Sequence, residues 1–335
     1  MAEYSTRVQI ADITIRFESP LESDISDLDS FFKYHHADSS KETDCTVVLK
    51  RQGSFYMPKD AVMLWQSKCQ GTIEQKGRVG RQRISVLSKF DTFGQASCYV
   101  SRERGEYYYG LMQDKSWVCC NPTEHKIKYV LHQRSPRNCT PEEKKVANPI
   151  NAMPLLIHVI STLFGRFLIH GAAVSIDNKA FLFLGKSGSG KSTLSTDLAK
   201  QKASFMGDDI VLIYMKDGVP MVGSLLFQAK LHLDNAKDKS DIDVPEAMHT
   251  DCCLSAPLKA VYLVRQNGLS ASTVEPLPSI DLLQHLMDAS NGMMMQYDKQ
   301  QWLATMYDIS ERTPFFIFNF GDRSSLDISL LKTTC

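Results

Sequence analysis

One segment of the sequence combines glycines, a lysine and hydroxyl side chains at a spacing that suits phosphate chemistry. Residues 185–192 read GKSGSGKS and match all eight positions of the pattern G-x-x-x-x-G-K-[ST]. The apolar run FLFL precedes the segment and STLSTDLAK follows it, so a strand and a helix are predicted on its two sides. A glycine-rich turn that only caps a helix needs neither the lysine nor the hydroxyl. The order of the residues therefore favours a phosphate-binding loop.

Each residue type in this loop has a role in binding a nucleoside triphosphate. Glycines let successive N–H groups converge on phosphate oxygens, and the following helix adds its positive N-terminal end. Lys191 would bridge the β- and γ-phosphates, and the hydroxyl of Ser192 would ligate Mg²⁺. ATP and GTP suit the loop equally well, because it contacts no base. The predicted nucleotide-binding residues are Gly185, Lys186, Ser187, Gly188, Ser189, Gly190, Lys191, Ser192 and Thr193.

Two acids and a histidine lie near this loop in the sequence. Asp208 and Asp209 precede the apolar run IVLIY, and two adjacent carboxylates repel each other. A divalent cation or a phosphoryl acceptor would relieve the repulsion, although a solvated acidic turn explains the pair equally well on its own. His170 ends an apolar run and precedes small residues that permit close backbone approach. A single histidine of this kind is more often structural than catalytic.

The rest of the chain divides into two parts of different character. Short β-branched and aromatic runs make residues 1–148 strand-rich, and the hydrophilic stretch 134–148 predicts a linker or exposed loop. Residues 149–335 mix both patterns and predict an α/β domain that contains the phosphate-binding loop. Its elements begin with a helix over 152–167. Strands are predicted over 168–176, 180–184, 210–214, 260–264 and 315–320, and further helices over 280–289 and 324–332.

Composition limits the partners that we expect. The 335 residues carry 38 basic and 38 acidic side chains, so no global charge attracts nucleic acid or an anionic membrane. No apolar stretch is long enough to span a membrane, and the N-terminus lacks the apolar block of a secretory signal. We therefore expect a cytoplasmic protein. The nine cysteines follow no C-x-x-C spacing, which favours free thiols.

Three segments in this order resemble the catalytic domain of the HPr kinase/phosphorylase family and its kinase-like relatives. They read HGAAV, FLFLGKSGSGKSTL and GDDIVLI, and the resemblance covers about residues 150–235. It implies a P-loop α/β catalytic domain that follows a strand-rich α+β domain. It also implies Mg²⁺-dependent transfer of phosphate to a hydroxyl, typically of serine, in a protein or peptide. Related kinases often assemble, so a homo-oligomer is expected by analogy.

The resemblance also implies roles for individual residues. Asp208 would accept the proton of the acceptor hydroxyl with His170 in support, and Asp209 would bind Mg²⁺ beside Ser192. The two aspartates could exchange these roles. The glycine-rich segment that follows the acidic pair in the bifunctional enzymes has no counterpart here. Residues 225–240 instead resemble kinase-like relatives, some of which act in pathways that modify ribosomal peptides.

Three other functions use the same motifs. A small-molecule kinase would need the same loop and acids with a closed acceptor pocket. A nucleotide-driven switch or motor would hydrolyse the nucleotide without an acceptor, although the chain has no LSGGQ-like transporter signature. A sensor that binds nucleotide without turnover is the remaining alternative. Labelled ATP distinguishes these functions by where the label appears.

Overall fold

The computed structural model shows a mixed α/β protein with several sheets and two compact units. The first unit comprises Met1–Gln9 and Ile13–Leu163, and the second comprises Ile10–Asp12 and Phe164–Cys335. The structure describes residues 3–38, 40–52, 55–68, 72–75, 83–85, 96–111, 116–132, 149–232, 239–266, 271–290, 299–321 and 326–333. The predicted linker 134–148 lies outside these residues.

One 10-stranded sheet forms most of the first unit, in the order β1-β2-β3-β10-β9-β8-β7-β4-β5-β6. Its strands are β1 (Tyr4–Ile10), β2 (Ile13–Ser19), β3 (Cys45–Gln52), β4 (Val62–Lys68), β5 (Thr72–Gln75), β6 (Arg83–Ser85), β7 (Ala96–Ser101), β8 (Glu106–Leu111), β9 (Ser116–Asn121) and β10 (Lys126–His132). The helices are α1 (Glu22–Phe31) and α2 (Met153–Leu163), and a 3₁₀ turn spans Pro149–Ala152.

Alternation of apolar side chains explains the strands of this unit. Ile13, Ile15 and Phe17 are fully buried on one face of β2, and Leu28 of α1 is also buried. All six described cysteines, four of them in this unit, are free thiols as predicted: Cys45, Cys98, Cys119, Cys120, Cys252 and Cys253. Burial raises the pKa of Cys45 and of Cys98 to about 12, so both thiols stay protonated at neutral pH.

The second unit contains a 9-stranded sheet whose path runs β11-β15-β16-β19-β13-β12-β14, with β21 paired to β19 and β20 to β21. Its strands are β11 (Phe167–Ile169), β12 (Ala172–Ile176), β13 (Lys179–Leu184), β14 (Ser204–Gly207), β15 (Val211–Lys216), β16 (Val219–Gly223), β19 (Ser255–Gln266), β20 (Thr273–Leu277) and β21 (Phe315–Phe320). A separate hairpin pairs β17 (Gln228–His232) with β18 (Lys239–Asp243).

Helices cover this sheet. They are α3 (Lys191–Lys200), α4 (Val244–Met248), α5 (Ser279–Ser290), α6 (Lys299–Arg312) and α7 (Ser329–Thr333). Leu194 and Leu198 of α3 pack in one core cluster with Tyr262 of β19, whereas Leu263 of the same strand packs with Leu286 of α5 in another. Successive residues of β19 therefore lie in different cores. Strands β13, β19 and β21 run parallel to one another.

Several sequence predictions differ from the structure. The predicted strand 168–176 is two strands, because the chain leaves β11 at His170 and Gly171 before β12 begins. The predicted helix 152–167 ends at Leu163, near Gly165 with its positive φ of 68°. Helix α6 was not predicted. The helix predicted over 324–332 spans only Ser329–Thr333, and residues 322–325 lie outside the described chain.

The predicted domain boundary lies between residues 148 and 149. The compact units of the structure divide the chain after Leu163. The segment between these points stays with the first unit, in which the hydroxyl of Tyr129 donates to the carbonyl of Pro149 at 3.1 Å. The sequence-based assignment of residues 1–148 to a substrate-binding or regulatory domain, and of residues 149–335 to the catalytic domain, stays a prediction. Among the described residues, no helix combines the length and apolar character that crossing a bilayer requires.

Candidate active site

Three segments with chemically active residues meet at one edge of the second sheet. Strand β13 ends at Leu184, directly before the glycine-rich loop. Strand β12 runs antiparallel to β13 and begins at this edge, just after His170 and Gly171. Strand β14 is antiparallel to β12 and ends here with Gly207, followed by Asp208 and Asp209. Because neighbouring strands lie about 4.8 Å apart, the acidic pair starts roughly 10 Å across the sheet from the loop.

The backbone of the loop requires glycine at both of its ends. Gly185 has φ of 143°, and a Cβ there would lie 2.8 Å from both the carbonyl oxygen of Val264 and Oγ of Ser189. Gly190 has φ of 100° and is the N-cap residue of α3. Side chains are strained at these angles, and Gly185 has no space for one. The glycine spacing of the motif is therefore a steric requirement of this turn.

Lys191 lies inside the loop that its motif defines. Its side chain is buried, and Nζ donates to the carbonyl oxygens of Gly185 at 2.8 Å and Lys186 at 3.1 Å. A buried ammonium group is stable only with such acceptors around it. These bonds hold the charge at the centre of the loop, where a phosphate group would meet it.

The first turn of α3 presents backbone donors beside this lysine. Among the described residues, no side chain caps the helix, whose N-cap is Gly190, and no acidic residue lies in its first turn. Ser192 and Thr193 are partly exposed there, with the carbonyl of Ser192 accepting from Oγ1 of Thr196 at 2.8 Å. Uncapped N–H groups and the positive end of the helix favour the binding of an anion at this position.

The acidic pair has an unusual backbone. Asp209 has φ of 68°, a left-handed conformation that costs free energy for a residue other than glycine. The N–H of Ile210 donates to the carbonyl of Asp208 at 2.8 Å, so a three-residue turn closes around Asp209. The N–H of Gly171 also donates to the carbonyl of Asp209, at 3.3 Å. This tight turn fixes the directions of the two neighbouring carboxylates.

His170 contacts this turn through one ring nitrogen. Its Nδ1 lies 2.9 Å from the carbonyl oxygen of Asp209 and 3.1 Å from Oδ1 of the same residue. Both neighbours are acceptors, so the hydrogen-bond network assigns the proton to Nδ1. In the neutral ring, Nε2 is then left as an acceptor. The contact described here is with Asp209, and the expected support of Asp208 by His170 stays a prediction.

The two aspartates differ in exposure. Asp208 is 8% exposed, whereas the side chain of Asp209 is 39% exposed. Mg²⁺ usually keeps several waters and takes one or two protein oxygens together with the phosphates of its nucleotide. The accessible carboxylate of Asp209 fits that requirement better than the buried one of Asp208. Among the described residues, no three His, Cys, Asp or Glu side chains form a group that could hold a metal ion.

Sequence reasoning missed two residues beside the loop. If residue 190 carried a Cβ atom, that atom would lie 3.2 Å from the ring of Phe320 and 3.5 Å from Nε2 of Gln266. These residues end β21 and β19, which run parallel to β13 and finish at the same edge. In the sequence, Gln266 is marked only by its place at the polar end of the apolar run AVYLVRQ.

The chain has a distant likeness to solved structures. No protein-family model matches the chain, and no curated protein matches it. A solved structure described as the Hpr(Ser) kinase/phosphatase from Coxiella burnetii aligns with 50% of this chain and 95% of its own chain. The TM-score is 0.32 and the sequence identity is 13%. A likeness of this degree carries no argument about activity.

Proposed function

We propose that this protein is a Mg²⁺-dependent kinase that transfers the γ-phosphoryl group of ATP or GTP to a hydroxyl, of the serine type, in a peptide or protein. One observation supports the proposal above all. The loop with its buried Lys191 meets Asp208 and the His170–Asp209 pair at one sheet edge. Phosphoryl transfer needs this combination of a positive phosphate site and a carboxylate that can accept a proton.

In the proposed reaction, Asp208 accepts the proton of the acceptor hydroxyl. The hydroxyl oxygen then forms a bond to the γ-phosphorus, while the bond from that phosphorus to the bridging oxygen breaks. The electron pair of the broken bond leaves with the nucleoside diphosphate. Lys191 and the N–H groups of the loop stabilise the negative charge of the transferring group.

Asp209 and Ser192 are the residues that would hold Mg²⁺. When bound, the ion neutralises charge on the β- and γ-phosphates. The hydrogen bond from Nδ1 of His170 fixes one oxygen of Asp209. His170 is thus a positioning residue in this scheme. The peptide or protein nature of the acceptor rests on the resemblance of the three sequence segments and not on the geometry of the site.

The test follows the γ-phosphate. The protein is incubated with γ-labelled ATP and Mg²⁺ together with a library of serine-containing peptides, and in parallel with the same library carrying alanine for serine. We expect label on the serine library alone. Label released only as inorganic phosphate would identify a nucleotide-driven switch, and bound nucleotide without turnover would identify a sensor. Transfer to an added metabolite fraction, with none to peptides, would identify a small-molecule kinase.

A matched pair of variants controls this test. Lys191 and Lys200 are the first and last residues of α3, and Lys200 makes only an exposed ion pair with Asp197 at 3.2 Å among its described contacts. Lys191→Ala should remove the label transfer, and Lys200→Ala should retain it. Equal activity of both variants would show that the loop takes no part in the reaction.

A further inference from the structure

The site has a second side that the proposed reaction does not use. Along the edge of the sheet the strands follow the order β21-β19-β13-β12-β14. The loop follows β13, in the middle of this order. Asp208, Asp209 and His170 lie on the side of β12 and β14, and Gln266 ends β19 on the opposite side. A bound triphosphate whose γ-end points to the acids, and whose phosphates follow this strand order, would place its nucleoside end beside β19 and β21.

The side chain of Gln266 lies on the correct face of the sheet for such a contact. Val264 and Tyr262, two and four residues earlier in β19, pack in the core cluster that contains Leu194 of α3. Side chains alternate along a strand, so Gln266 shares their face. The amide nitrogen of Gln266 lies 3.5 Å from the position that a Cβ of Gly190 would occupy. The side chain of Gln266 therefore lies beside the first turn of α3. The residue is exposed.

Arg265 differs from its neighbour although it is equally exposed. It follows the alternation of Val261 and Leu263, which pack in the other core cluster. Arg265 therefore lies on the face of the sheet away from α3. From the sequence alone, the positive charge of Arg265 would make it the expected nucleotide-binding residue. The alternation of side chains along β19 instead places Gln266 on the face of the loop.

We propose that the carboxamide of Gln266 binds the nucleoside part of the nucleotide. An amide offers both a donor and an acceptor, which match the hydroxyls of ribose and the edge of a base, and it adds no charge to the phosphate site. The amide nitrogen is also close to the loop, 3.5 Å from the position of a Cβ at residue 190. The inference rests on the proposed nucleotide-dependent function and adds a residue that distinguishes a nucleotide from a simple polyphosphate.

The test compares ATP with inorganic tripolyphosphate, which has the phosphates and no nucleoside. Calorimetric titrations use the full chain and its Gln266→Ala variant. Loss of one or two neutral hydrogen bonds should weaken ATP binding roughly three- to tenfold. Binding of tripolyphosphate should not change. Equal weakening of both ligands, or of neither, would overturn the role of Gln266 while the kinase proposal stands.

Two further variants complete the test. Gln266→Met keeps the length of the side chain beside Phe320 but removes its polar groups, so it should lose as much ATP affinity as Gln266→Ala. Full ATP affinity in the methionine variant would show that packing, not hydrogen bonding, matters. Arg265→Lys keeps the charge and should bind both ligands as the wild type does. A wild-type protein that binds neither ligand would refute the proposed function, and this inference with it.

Discussion

Strands β11 and β15 carry a charged cluster at each end, and the two clusters differ in how their charges are satisfied. At the beginning of β11, Arg166 donates to both oxygens of Asp12, at 3.0 and 2.7 Å. Its guanidinium lies 4.8 Å from the ring centre of Tyr214, and Lys216 adds a second cation 3.3 Å from Asp12. At the other end, roughly 13 Å away, a single ring nitrogen of His170 faces Asp209.

The difference leads us to expect a structural role for the first cluster and a functional role for the second. The planar, two-bond pairing of Arg166 with Asp12 is a strong and specific contact, and both side chains are mostly buried. Asp209 by contrast is more exposed, and its contact with His170 is through a single ring nitrogen. We therefore expect changes at the first cluster to lower stability and changes at the second to lower activity.

The largest effect is expected for Asp208→Asn. Asparagine keeps the size and one acceptor oxygen but cannot take up the proton of the acceptor hydroxyl. Phosphoryl transfer should fall roughly 10²- to 10⁴-fold, while Mg-nucleotide binding is retained. Turnover and nucleotide titration measure the two effects.

Asp217→Asn is the control for this variant. Asp217 follows β15 at the end remote from the acidic pair, and its φ of 50° is one that asparagine adopts readily. Its activity should equal that of the wild type. If Asp208→Asn transferred phosphate at the wild-type rate, the acidic pair would be only a surface turn. The hydroxyl-kinase hypothesis would then be rejected.

Lys191→Ala should lower turnover roughly 10²- to 10³-fold, because it removes a positive charge from the transferring phosphate. The carbonyls of Gly185 and Lys186 then lose their ammonium partner, but Leu194 and Leu198 still pack α3 on the sheet. The fold should therefore survive, as circular dichroism would show. A folded variant with unchanged turnover would contradict the assigned role.

Arg166→Met tests the structural cluster. The variant leaves the carboxylate of Asp12 without its two guanidinium bonds, so the free energy of unfolding should fall by about 1 to 3 kcal/mol. Urea unfolding measures the loss, and turnover of the folded variant should be unchanged. Lys200→Met, which removes an exposed pair, should cost less than about 1 kcal/mol. Lost turnover in stable Arg166→Met would mean that the two clusters are coupled.

Ser192→Ala should have a smaller effect, confined to the metal. If the hydroxyl ligates Mg²⁺, binding of Mg-nucleotide should weaken more than binding of the same nucleotide with chelator present. Titrations of wild type and variant, with Mg²⁺ and with chelator, measure the loss of nucleotide affinity under each condition. Equal losses under both conditions would assign the hydroxyl to a phosphate contact.

The smallest effect is a pH dependence of stability from Asp12. Burial raises the pKa of its carboxyl group, but the hydrogen bonds and charges of Arg166 and Lys216 outweigh this and hold the pKa below its usual value. The unfolded carboxyl titrates near pH 3.9, approximately. Its contribution to stability is therefore complete above about pH 4 and is lost as the pH falls through the lower folded pKa. The stability difference between wild type and Asp12→Asn should be larger at pH 6 than at pH 3.

Much of the second unit could be predicted from the sequence, because the signals are local. The run FLFL, the loop and the helix after it are consecutive, and they appear as β13, the turn and α3. The strand predicted over 315–320 is β21 with the same ends. Helix α6 was missed because KQQWLATMYDISER has a polar average composition, although its buried residues Trp302, Met306 and Ile309 recur at helical spacing.

The sequence by itself determined the residue types at the site: the glycine spacing, Lys191, the acidic pair and His170. Each follows from a contiguous motif, since phosphate binding needs a fixed local order of backbone donors and charges. Only the tertiary structure decided that His170 pairs with Asp209, that Asp208 is buried, and that Gln266 lies at Gly190. These relations join separate strands, and strand order and side-chain alternation are set by how the whole sheet buries its two faces.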